Sequence, residues 1–514
     1  MPQCPFGEAD CEAEVERLGN GYSEIFFSQT PFNRAALNLE TYLIIGRRGA
    51  GKTALCHYFS FQRDIKSYIY IDVDDQIIYE RVLDDIGRNT SYMGETRLAR
   101  AQDVWTFALW RLLFAEVSRR LGIDDIYGQN LAADANPATV LDRIIDWLSQ
   151  CIGVGTTQEN RVEGFSERKL EGLLADPHFI EAIEMVLATA QKTPVFLAVD
   201  TLEKVHVDDS NLMDAMAGLI EAAAKMNSRY AKKGIHIKVF MSGEIFPHLM
   251  ERYLANPLKS VKQEVYMLWR ARDLLRLIAW RFHQFLKTEG YLNARAQEEI
   301  VWTDPRDVLT KAWIPYFGAS LKNRNDLAEH TFSYILRHTQ MRPRQLIVIC
   351  NAIAEHSIEA GSFPRFARDD IIEGVRVGEI KLATEILNSY NKIYPGIFGI
   401  AHELAKLDSV FPGNLLDKRA PLSKGSWPTG EYSNSAFLRL VAELGIIGKV
   451  SSEVPGYVHA SFSYSQSHRL YITEQDRCAI HPMFFQFLEV PPAAQPTIIM
   501  PFVVSEDDKR WLAN

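Results

Sequence analysis

The chain has 514 residues, of which 47% are hydrophobic and 24% are charged, a composition typical of a globular protein in water. This length predicts roughly two to four domains with ample apolar material for their cores. The 56 Lys and Arg residues stand against 65 Asp and Glu residues, and the formal charge of −9 disfavours indiscriminate binding to nucleic acid, although it is compatible with a local basic face.

Cysteine usage and apolar patterning indicate a cytoplasmic protein with no membrane span. The six cysteines show no C-x-x-C spacing, so neither a zinc site nor a disulfide framework is predicted. Cys4, Cys11 and His57 are metal-ligand types, but ordinary thiols are the favoured interpretation. The N-terminus lacks the basic and apolar regions of a signal peptide, and no run of about 20 apolar residues occurs.

The segment before the first strand, residues 1–40, mixes aromatic residues with a helical pattern. Phe32, Ala35, Ala36 and Leu39 lie at helical spacing. Packing of an N-terminal arm is the favoured interpretation. In nucleotide-binding folds a segment that enters from this side can also cover an adenine ring, and this alternative stays open.

The strongest signal is a glycine-rich loop between a strand and a helix. Tyr42–Ile45 is a short apolar run typical of a buried strand, and Gly46–Thr53 fits the pattern G-x-x-x-x-G-K-[ST] in full. Ala54 and Leu55 continue into a helix. Glycine lets successive backbone N–H groups turn towards one ligand, and the helix adds its positive end. The segment therefore predicts a polyphosphate site.

Two side chains of this loop have roles of their own. Lys52 would reach the β- and γ-phosphates, and the hydroxyl of Thr53 would bind Mg²⁺. A glycine turn beside a surface lysine is the disfavoured alternative, because a strand precedes the loop and a helix follows it. The predicted nucleotide contacts in this segment are Gly46, Arg47, Arg48, Gly49, Ala50, Gly51, Lys52, Thr53 and Ala54.

A second strand and a helical insertion come next. Ser67–Asp75 is rich in β-branched and aromatic residues and ends in three aspartates, which can face a ligand crevice but are favoured as solvated turn residues. An amphipathic helix is predicted over Thr96–Leu121. Residues from about 80 to 190 as a whole form a helical insertion between strands.

The next strand carries the second candidate carboxylate. Val195–Val199 is a continuous apolar run, as expected of a strand buried on both faces of a parallel sheet, and it ends at Asp200. In a nucleotide hydrolase this is the place of the Mg²⁺-directed carboxylate. Glu203 would orient or deprotonate the attacking water, and a carboxylate at a helix N-terminus is its alternative reading.

A further strand follows a helix predicted over Leu212–Arg229. The strand is predicted over His236–Phe246, and Ser242 or Glu244 at its tip is a candidate sensor of a γ-phosphate. A plain strand-to-helix turn is the equally favoured alternative.

Residues 264–385 become helical. Within them, Arg342-Pro343-Arg344 directly precedes an apolar helix. Arginines at a helix N-terminus can contact a phosphate, or they can form salt bridges where the helix begins. Both interpretations stay open.

Residues 386–514 predict a winged helix. Helices around Glu385–Lys392, Ile397–Leu407 and Ser433–Leu444 precede a ribbon formed by YVHASFSYS and RLYIT, and CAIHPMFFQFL closes the unit. A winged helix can read DNA through its third helix. Here that helix carries Arg439 and one glutamate, so it is favoured as a packing or protein-contact element.

Together these motifs resemble the bacterial phosphate-loop ATPases allied to the STAND and KAP groups. The likeness spans most of the chain and rests on IGRRGAGKTAL, VDTLEK, KVFMSGEIF, the Leu268-Trp269 pair before a helix, RPRQLI and the late IHPMF. It implies an ASCE-type ATPase core, a helical lid and a winged helix, with nucleotide acting as a switch on a partner or an assembly. Several relatives lie in antiphage defence loci, where they pair with a nuclease or another toxic effector.

The resemblance also implies roles by position. Arg344 would be the catalytic lid arginine, with Arg342 as a further nucleotide contact. The carboxylate three residues after Asp200 is a STAND-like spacing and implies slow turnover or nucleotide sensing. The implied catalytic residues are Lys52, Glu203 and Arg344. The implied metal ligands are Thr53 and Asp200.

We therefore expect an α/β protein with a P-loop NTPase core and parallel sheet at residues 1–263. A helical lid at 264–385 and a winged-helix domain at 386–514 would follow. The expected function is a switch that binds and hydrolyses ATP with Mg²⁺, and its partner would be a protein effector, a nuclease or a second copy of the chain. ATP is favoured over GTP because the N-K-x-D pattern lacks its Asp at Asn391–Tyr394.

Two other function classes are open at this point. One is an ATP-dependent DNA-binding protein resembling archaeal origin-binding ATPases, which the order of core, lid and winged helix suits and the acidic balance disfavours. The other is a kinase or another phosphoryl transferase. It ranks lowest because no separate acceptor-binding motif is visible.

Overall fold

The computed structural model describes residues 4–38, 40–62, 65, 67–72, 94–122, 175–201, 210–254, 261, 264–292, 299–391, 394–465, 470–493 and 496–502. The chain forms two compact units. We call Pro31–Met267 the loop unit, and Met1–Thr30 with Leu268–Asn514 the second unit. None of the described helices combines the length and the apolar composition that crossing a membrane requires.

The strands of the described residues are numbered in chain order. They are β1 Leu43–Gly46, β2 Tyr68–Asp72, β3 Val195–Asp200, β4 Ile235–Ser242, β5 Glu264–Tyr266, β6 Ser320–Lys322, β7 Ala328–His330, β8 Val410–Pro412, β9 Ile447–Val454, β10 Tyr457–Ser461, β11 Arg477–Ile480 and β12 Ile498–Met500.

The α-helices of the described residues are numbered in the same way. They are α1 Cys11–Leu18, α2 Tyr22–Ile25, α3 Pro31–Leu37, α4 Lys52–Ser60, α5 Gly94–Leu121, α6 Pro177–Ala190, α7 Ser210–Tyr230, α8 Phe246–Arg252, α9 Ala271–Thr288, α10 Pro305–Val308, α11 Ile314–Phe317, α12 Thr331–Leu336, α13 Pro343–Glu359, α14 Arg368–Tyr390, α15 Ile397–His402, α16 Asn414–Arg419 and α17 Asn434–Glu443. A π-helical turn, Leu309–Trp313, joins α10 to α11.

The loop unit is built on a five-stranded parallel sheet in the order β2-β3-β4-β1-β5. β1, β3 and β4 are buried at every position. β1 and β3 are nearly continuous apolar runs, as is usual for strands covered on both faces, whereas β4 also carries the polar residues His236, Lys238 and Ser242. β4 lies between β1 and β3, with Gly46 opposite Ser242 and Asp200 opposite Phe240. The carboxyl ends of these three strands therefore lie side by side at one edge of the sheet.

The described elements of the loop unit agree with most of the sequence expectations. The predicted apolar strand before Asp200 is confirmed as β3. The strand predicted over His236–Phe246 ends earlier, at Ser242, because residues 243–245 form a turn and Phe246 begins α8. Of the predicted helical insertion, α5 and α6 are described, whereas residues 80–93 and 123–174 lie outside the described residues.

A buried lysine joins the segment before β1 to the middle of β4. Lys238 is 1% exposed, and its ammonium group donates to the carbonyl oxygens of Ala36, Asn38 and Thr41. Burial lowers the pKa of Lys238 to about 7. Three N–H donors meet three carbonyl acceptors, so hydrogen bonds offset part of the cost of removing the group from water. The approach of the chain to β1 is thereby fixed against the sheet.

Lys238→Met keeps most of the side-chain volume but removes the donor of three carbonyls. We expect it to lower the free energy of unfolding by about 3 kcal/mol, since buried acceptors would lose their hydrogen bonds. Urea unfolding followed by tryptophan fluorescence measures the change. The matched control is Lys232→Met, at an exposed position that precedes β4. If both substitutions destabilise equally, the buried ammonium has no such role.

Residues at the N-terminus belong to the second unit. Phe6 is fully buried, and its ring stacks on Phe282 of α9 with the centroids 4.6 Å apart. Arg281 of α9 donates to the carbonyl of Phe6 at 2.8 Å and pairs with Glu14. The predicted core range 1–263 thus differs from the observed division, because an aromatic stack and a buried ion pair hold the first residues to α9.

Two predicted domain boundaries differ from the structure. β5 pairs with β1 in the loop unit, although the prediction assigned residues 264–385 to a helical lid. α14 continues to Tyr390, so the helix predicted around Glu385–Lys392 is the end of α14, and the boundary between 385 and 386 lies within it. The segment from 381 to 389 contains neither Gly nor Pro and gives the helix no reason to stop.

The second unit contains a five-stranded sheet in the order β12-β10-β9-β11-β8. β9 and β10 are antiparallel and joined by a two-residue turn in which Gly456 has φ +81°, a left-handed conformation that suits glycine. The predicted ribbon of YVHASFSYS with RLYIT is therefore wrong. β10 pairs with β9 and with β12, and residues 470–473 of RLYIT form no strand.

Candidate nucleotide-binding site

The phosphate loop begins where β1 ends and stops where α4 begins. Ile44 and Ile45 are buried in the sheet, and the chain then turns, with the N–H of Ala50 donating to the carbonyl of Arg47 at 2.9 Å. Gly51 has φ +96°, which a residue with a Cβ adopts only under strain, and it directly precedes Lys52, the first residue of α4. The first N–H groups of any α-helix have no acceptor within the helix, which makes a helix N-terminus such as that of α4 suited to an anion.

The side chain of Lys52 folds back over the start of the loop. It is 3% exposed, and its Nζ donates to the carbonyl oxygen of Gly46 at 3.1 Å. A buried ammonium group needs acceptors or an opposite charge. In this position the group adds a full positive charge to the partial charge of the helix N-terminus. The loop therefore combines the features that a polyphosphate requires.

Thr53 and Asp200 are in direct contact. The hydroxyl of Thr53 donates to Oδ2 of Asp200 at 2.8 Å, and Asp200 is 5% exposed at the end of β3. Thr201 fixes the backbone beyond this carboxylate, because its N–H and its hydroxyl both donate to the carbonyl of Phe240 on β4, at 3.0 and 2.8 Å. A hydroxyl and a carboxylate held together are the hard oxygen donors that Mg²⁺ prefers, so the two residues fit this ion.

A third strand end contributes polar groups next to the loop. The N–H of Gly243 donates to the carbonyl of Gly46 at 3.0 Å. Glu244 is 9% exposed, and both of its carboxylate oxygens accept from the N–H of Arg48, at 3.1 and 3.3 Å. The hydroxyl of Ser242 donates to the same carboxylate at 2.8 Å. Sequence reasoning singled out Ser242 and Glu244 but missed their contact with the loop, because nothing local to either segment signals it.

The structure describes one of four further candidate carboxylates. Glu203 lies outside the described residues, as do two of the three aspartates at the end of the predicted strand Ser67–Asp75. Asp72, the third, is opposite Asp200 in the parallel pairing of β2 with β3. The structure therefore brings Lys52 and Thr53 together with Asp200 and leaves the role of Glu203 as a prediction.

Arg342 and Arg344 belong to the second unit. Arg342 is 6% exposed at the N-terminus of α13, and its guanidinium donates to Oε1 of Gln340 at 2.8 Å. Arg344 donates to the carbonyl of Ala9 at 3.0 Å and lies 3.5 Å from Glu385. These contacts match the interpretation of a hydrogen-bonded and salt-bridged helix start. The role of either arginine at a phosphate stays a prediction.

The loop, the strand order and the paired residues define a class. A glycine-rich turn between a buried strand and a helix, with a carboxylate on a parallel strand of the same sheet, is consistent with the core of a P-loop NTPase. The particular family within that class needs other evidence.

Comparison with known proteins gives one family match. Residues 288–377, less than half of the chain, match the model of the FunZ-associated C-terminal helical domain. No curated protein matches. Among solved structures, the Aeropyrum pernix ORC2 protein in its ADPNP–ADP complexes is similar over 92% of this chain and 88% of that chain, at 10% identity and a TM-score of 0.36. A likeness of this extent carries no conclusion about function.

Thr53→Ala removes one of the two oxygens that fit Mg²⁺, whereas Thr53→Ser retains it. We expect the alanine variant to need roughly tenfold more Mg²⁺ for half-maximal binding of a fluorescent ATP analogue, and the serine variant to behave like the parent. Thr288→Ala, an exposed threonine in the second unit, is the control. An alanine variant with unchanged Mg²⁺ dependence would remove Thr53 from the metal site.

Proposed function

We propose that this protein is an ATP-binding switch that hydrolyses ATP slowly and thereby controls a partner or an assembly. The observation that carries the proposal is the direct contact of Thr53 with Asp200, next to a loop that also holds the buried ammonium group of Lys52. Nucleotide triphosphates bring the dense negative charge for which such a loop is suited.

Each residue of the site has a role in this proposal. The N–H groups at the start of α4 and Nζ of Lys52 bind the β- and γ-phosphates, and Thr53 and Asp200 hold Mg²⁺. When bound, Mg²⁺ supplies charge neutralisation on the phosphate oxygens. Glu203 orients the attacking water and accepts its proton. Arg344, assisted by Arg342, is proposed as the arginine that senses the γ-phosphate from the helical lid.

Slow turnover is part of the proposal because of the spacing of the two carboxylates. Glu203 follows Asp200 at the third position, with Thr201 directly after the aspartate. Both hydrogen-bond donors of Thr201, its N–H and its hydroxyl, donate to the carbonyl of Phe240 on β4. The residue next to Asp200 is therefore engaged in the sheet and does not serve as a base.

The narrower family is proposed on the strand order. β4 lies between the strand of the phosphate loop and the strand of Asp200, an arrangement in keeping with an ASCE-type core and with the resemblance to STAND and KAP ATPases. The C-terminal part, with α15, α16 and α17 before the β9–β10 hairpin, is proposed as a winged helix. We propose a protein effector or nuclease, or a second copy of this chain, as partner, in the setting of bacterial antiphage defence.

DNA is not included among the proposed partners. The helix α17, which would be the reading helix of a winged helix, carries Arg439 and Glu443, and their charges offset each other. Glu443 also accepts a hydrogen bond from the hydroxyl of Tyr394 at 3.1 Å. Such a helix offers little positive charge to a phosphate backbone.

The proposal is tested by separating ATP binding from turnover. Lys52→Ala should weaken ATP binding at least about a hundredfold, because a charge-assisted contact with the phosphates is lost. Glu203→Gln should keep ATP affinity within about twofold of the parent and stop hydrolysis, since it keeps the shape of the side chain but not its basicity. Calorimetric titration measures the first effect and phosphate release the second.

The matched control is Lys192→Ala, at an exposed position before β3, which should leave both quantities unchanged. An ATP affinity of Lys52→Ala equal to that of the parent would rule out the proposed binding site. Turnover that survives Glu203→Gln would leave binding intact and transfer the role of base to another residue.

A further inference from the structure

The end of β4 is attached to the phosphate loop at two places. The N–H of Gly243 donates to the carbonyl of Gly46, the first residue of the loop, at 3.0 Å. Two residues further along the loop, the N–H of Arg48 donates to the carboxylate of Glu244, the residue that directly follows Gly243. The second contact joins a side chain to a peptide group 196 residues away in the sequence. The first half of the loop is thus held by β4 as well as by its own strand, β1.

The carboxylate of Glu244 is itself held in place. It is largely buried, and the hydroxyl of Ser242 donates to its Oε2 at 2.8 Å. The N–H of Glu244 also approaches the oxygen of Ser242, at 3.3 Å. A buried carboxylate that accepts several N–H and O–H groups has little freedom to move. Ser242 and Glu244 therefore form a small rigid unit against the loop.

The charge of Glu244 makes its position informative. A carboxylate close to a loop that binds polyphosphate repels the ligand, and this repulsion alone would favour a neutral residue there. The carboxylate accepts from the N–H of Arg48 through both oxygens, and these contacts hold the loop in one conformation. They offset the repulsion of the ligand only if that conformation favours binding. Sequence position alone would instead suggest that Glu244 faces a γ-phosphate.

We propose that Glu244 is a positioning residue: its carboxylate sets the conformation of residues 46–48 through the N–H of Arg48, and Ser242 fixes the carboxylate. This inference rests on the proposed function, because it explains how the loop is shaped for a nucleotide. It assigns no contact between Glu244 and the nucleotide. Loss of Glu244 should therefore loosen the loop whether or not a ligand is bound.

The test compares Glu244→Ala with Glu244→Gln in the full chain. The amide oxygen of glutamine can accept from Arg48, and its NH₂ group can donate to Ser242, so the glutamine variant keeps the geometry without the charge. Hydrogen–deuterium exchange of a peptide spanning residues 46–55, in the absence of nucleotide, reads the loop directly. Titration with a fluorescent ATP analogue reads its effect on binding. Glu251→Ala, an exposed glutamate of α8, is the control.

We expect exchange in residues 46–55 to become about tenfold faster in Glu244→Ala, and ATP affinity to fall about tenfold. Glu244→Gln should restore both to within about twofold, or bind ATP more tightly because the repulsion is gone. Ser242→Ala should show a smaller change in the same direction. Circular dichroism confirms that each variant is folded before it is compared.

Two results would overturn the inference. One is a glutamine variant that is as impaired as the alanine variant, since charge and not geometry would then be decisive. The other is an alanine variant that binds ATP more tightly and keeps slow exchange, since the carboxylate would then act by repulsion alone. If the parent chain binds no ATP at all, the proposed function fails, while the exchange measurement still decides whether Glu244 positions the loop.

Discussion

The hydrogen bond between Thr53 and Asp200 joins segments that are 147 residues apart in the sequence, and the geometry of the candidate site depends on it. It places the first turn of α4 beside the end of β3. This contact is possible because β1, β4 and β3 are neighbours in one parallel sheet and end at the same edge. A binding loop in front of that edge can be supported by groups from all three strands, as is usual in open α/β sheets.

Burial of opposite charges is the second condition of the site. Lys52 and Asp200 are both almost fully buried, and removing each from water costs several kcal/mol unless hydrogen bonds or charges compensate. The carbonyl of Gly46 and the hydroxyl of Thr53 provide part of this compensation. A Mg²⁺–nucleotide complex would add opposite charges for both groups. If such a complex binds here, as proposed, the cost of burying Lys52 and Asp200 would favour ligands that carry both phosphate and a divalent cation.

The sequence could predict the parts of this site that depend on short segments. The glycine loop has a fixed spacing, and β3 is an apolar run whose composition predicts its burial. The ends of elements were harder, because turn residues decide them: β4 stops at Ser242, and α14 continues past the expected boundary at 385. The pairing of β10 with β9 depends on the Pro455-Gly456 turn, which is a weaker signal than the alternating segments around it.

Contacts between distant segments could not be predicted from the sequence. Glu244 accepts from the N–H of Arg48, and Lys238 donates to three carbonyls. Both sets of contacts can be recognised only when the order of the strands in the sheet is known. A buried charged residue within a buried strand or directly after it is nevertheless a signal in itself, because it requires a partner. Both Lys238 and Glu244 carry that signal, and each proves to hold a backbone segment that leads into or out of β1.

The proposed function depends on whether residues 46–53 bind a triphosphate. A crystal structure of the chain with Mg²⁺ and a non-hydrolysable ATP analogue would show this. We expect the β- and γ-phosphates to lie within hydrogen-bond distance of the N–H groups at the start of α4 and of Nζ of Lys52, with Mg²⁺ held at Thr53 and Asp200. Two results would contradict triphosphate binding by residues 46–53. One is a nucleotide bound away from this loop. The other is an empty site at saturating nucleotide, with the hydrogen bond between Thr53 and Asp200 unchanged.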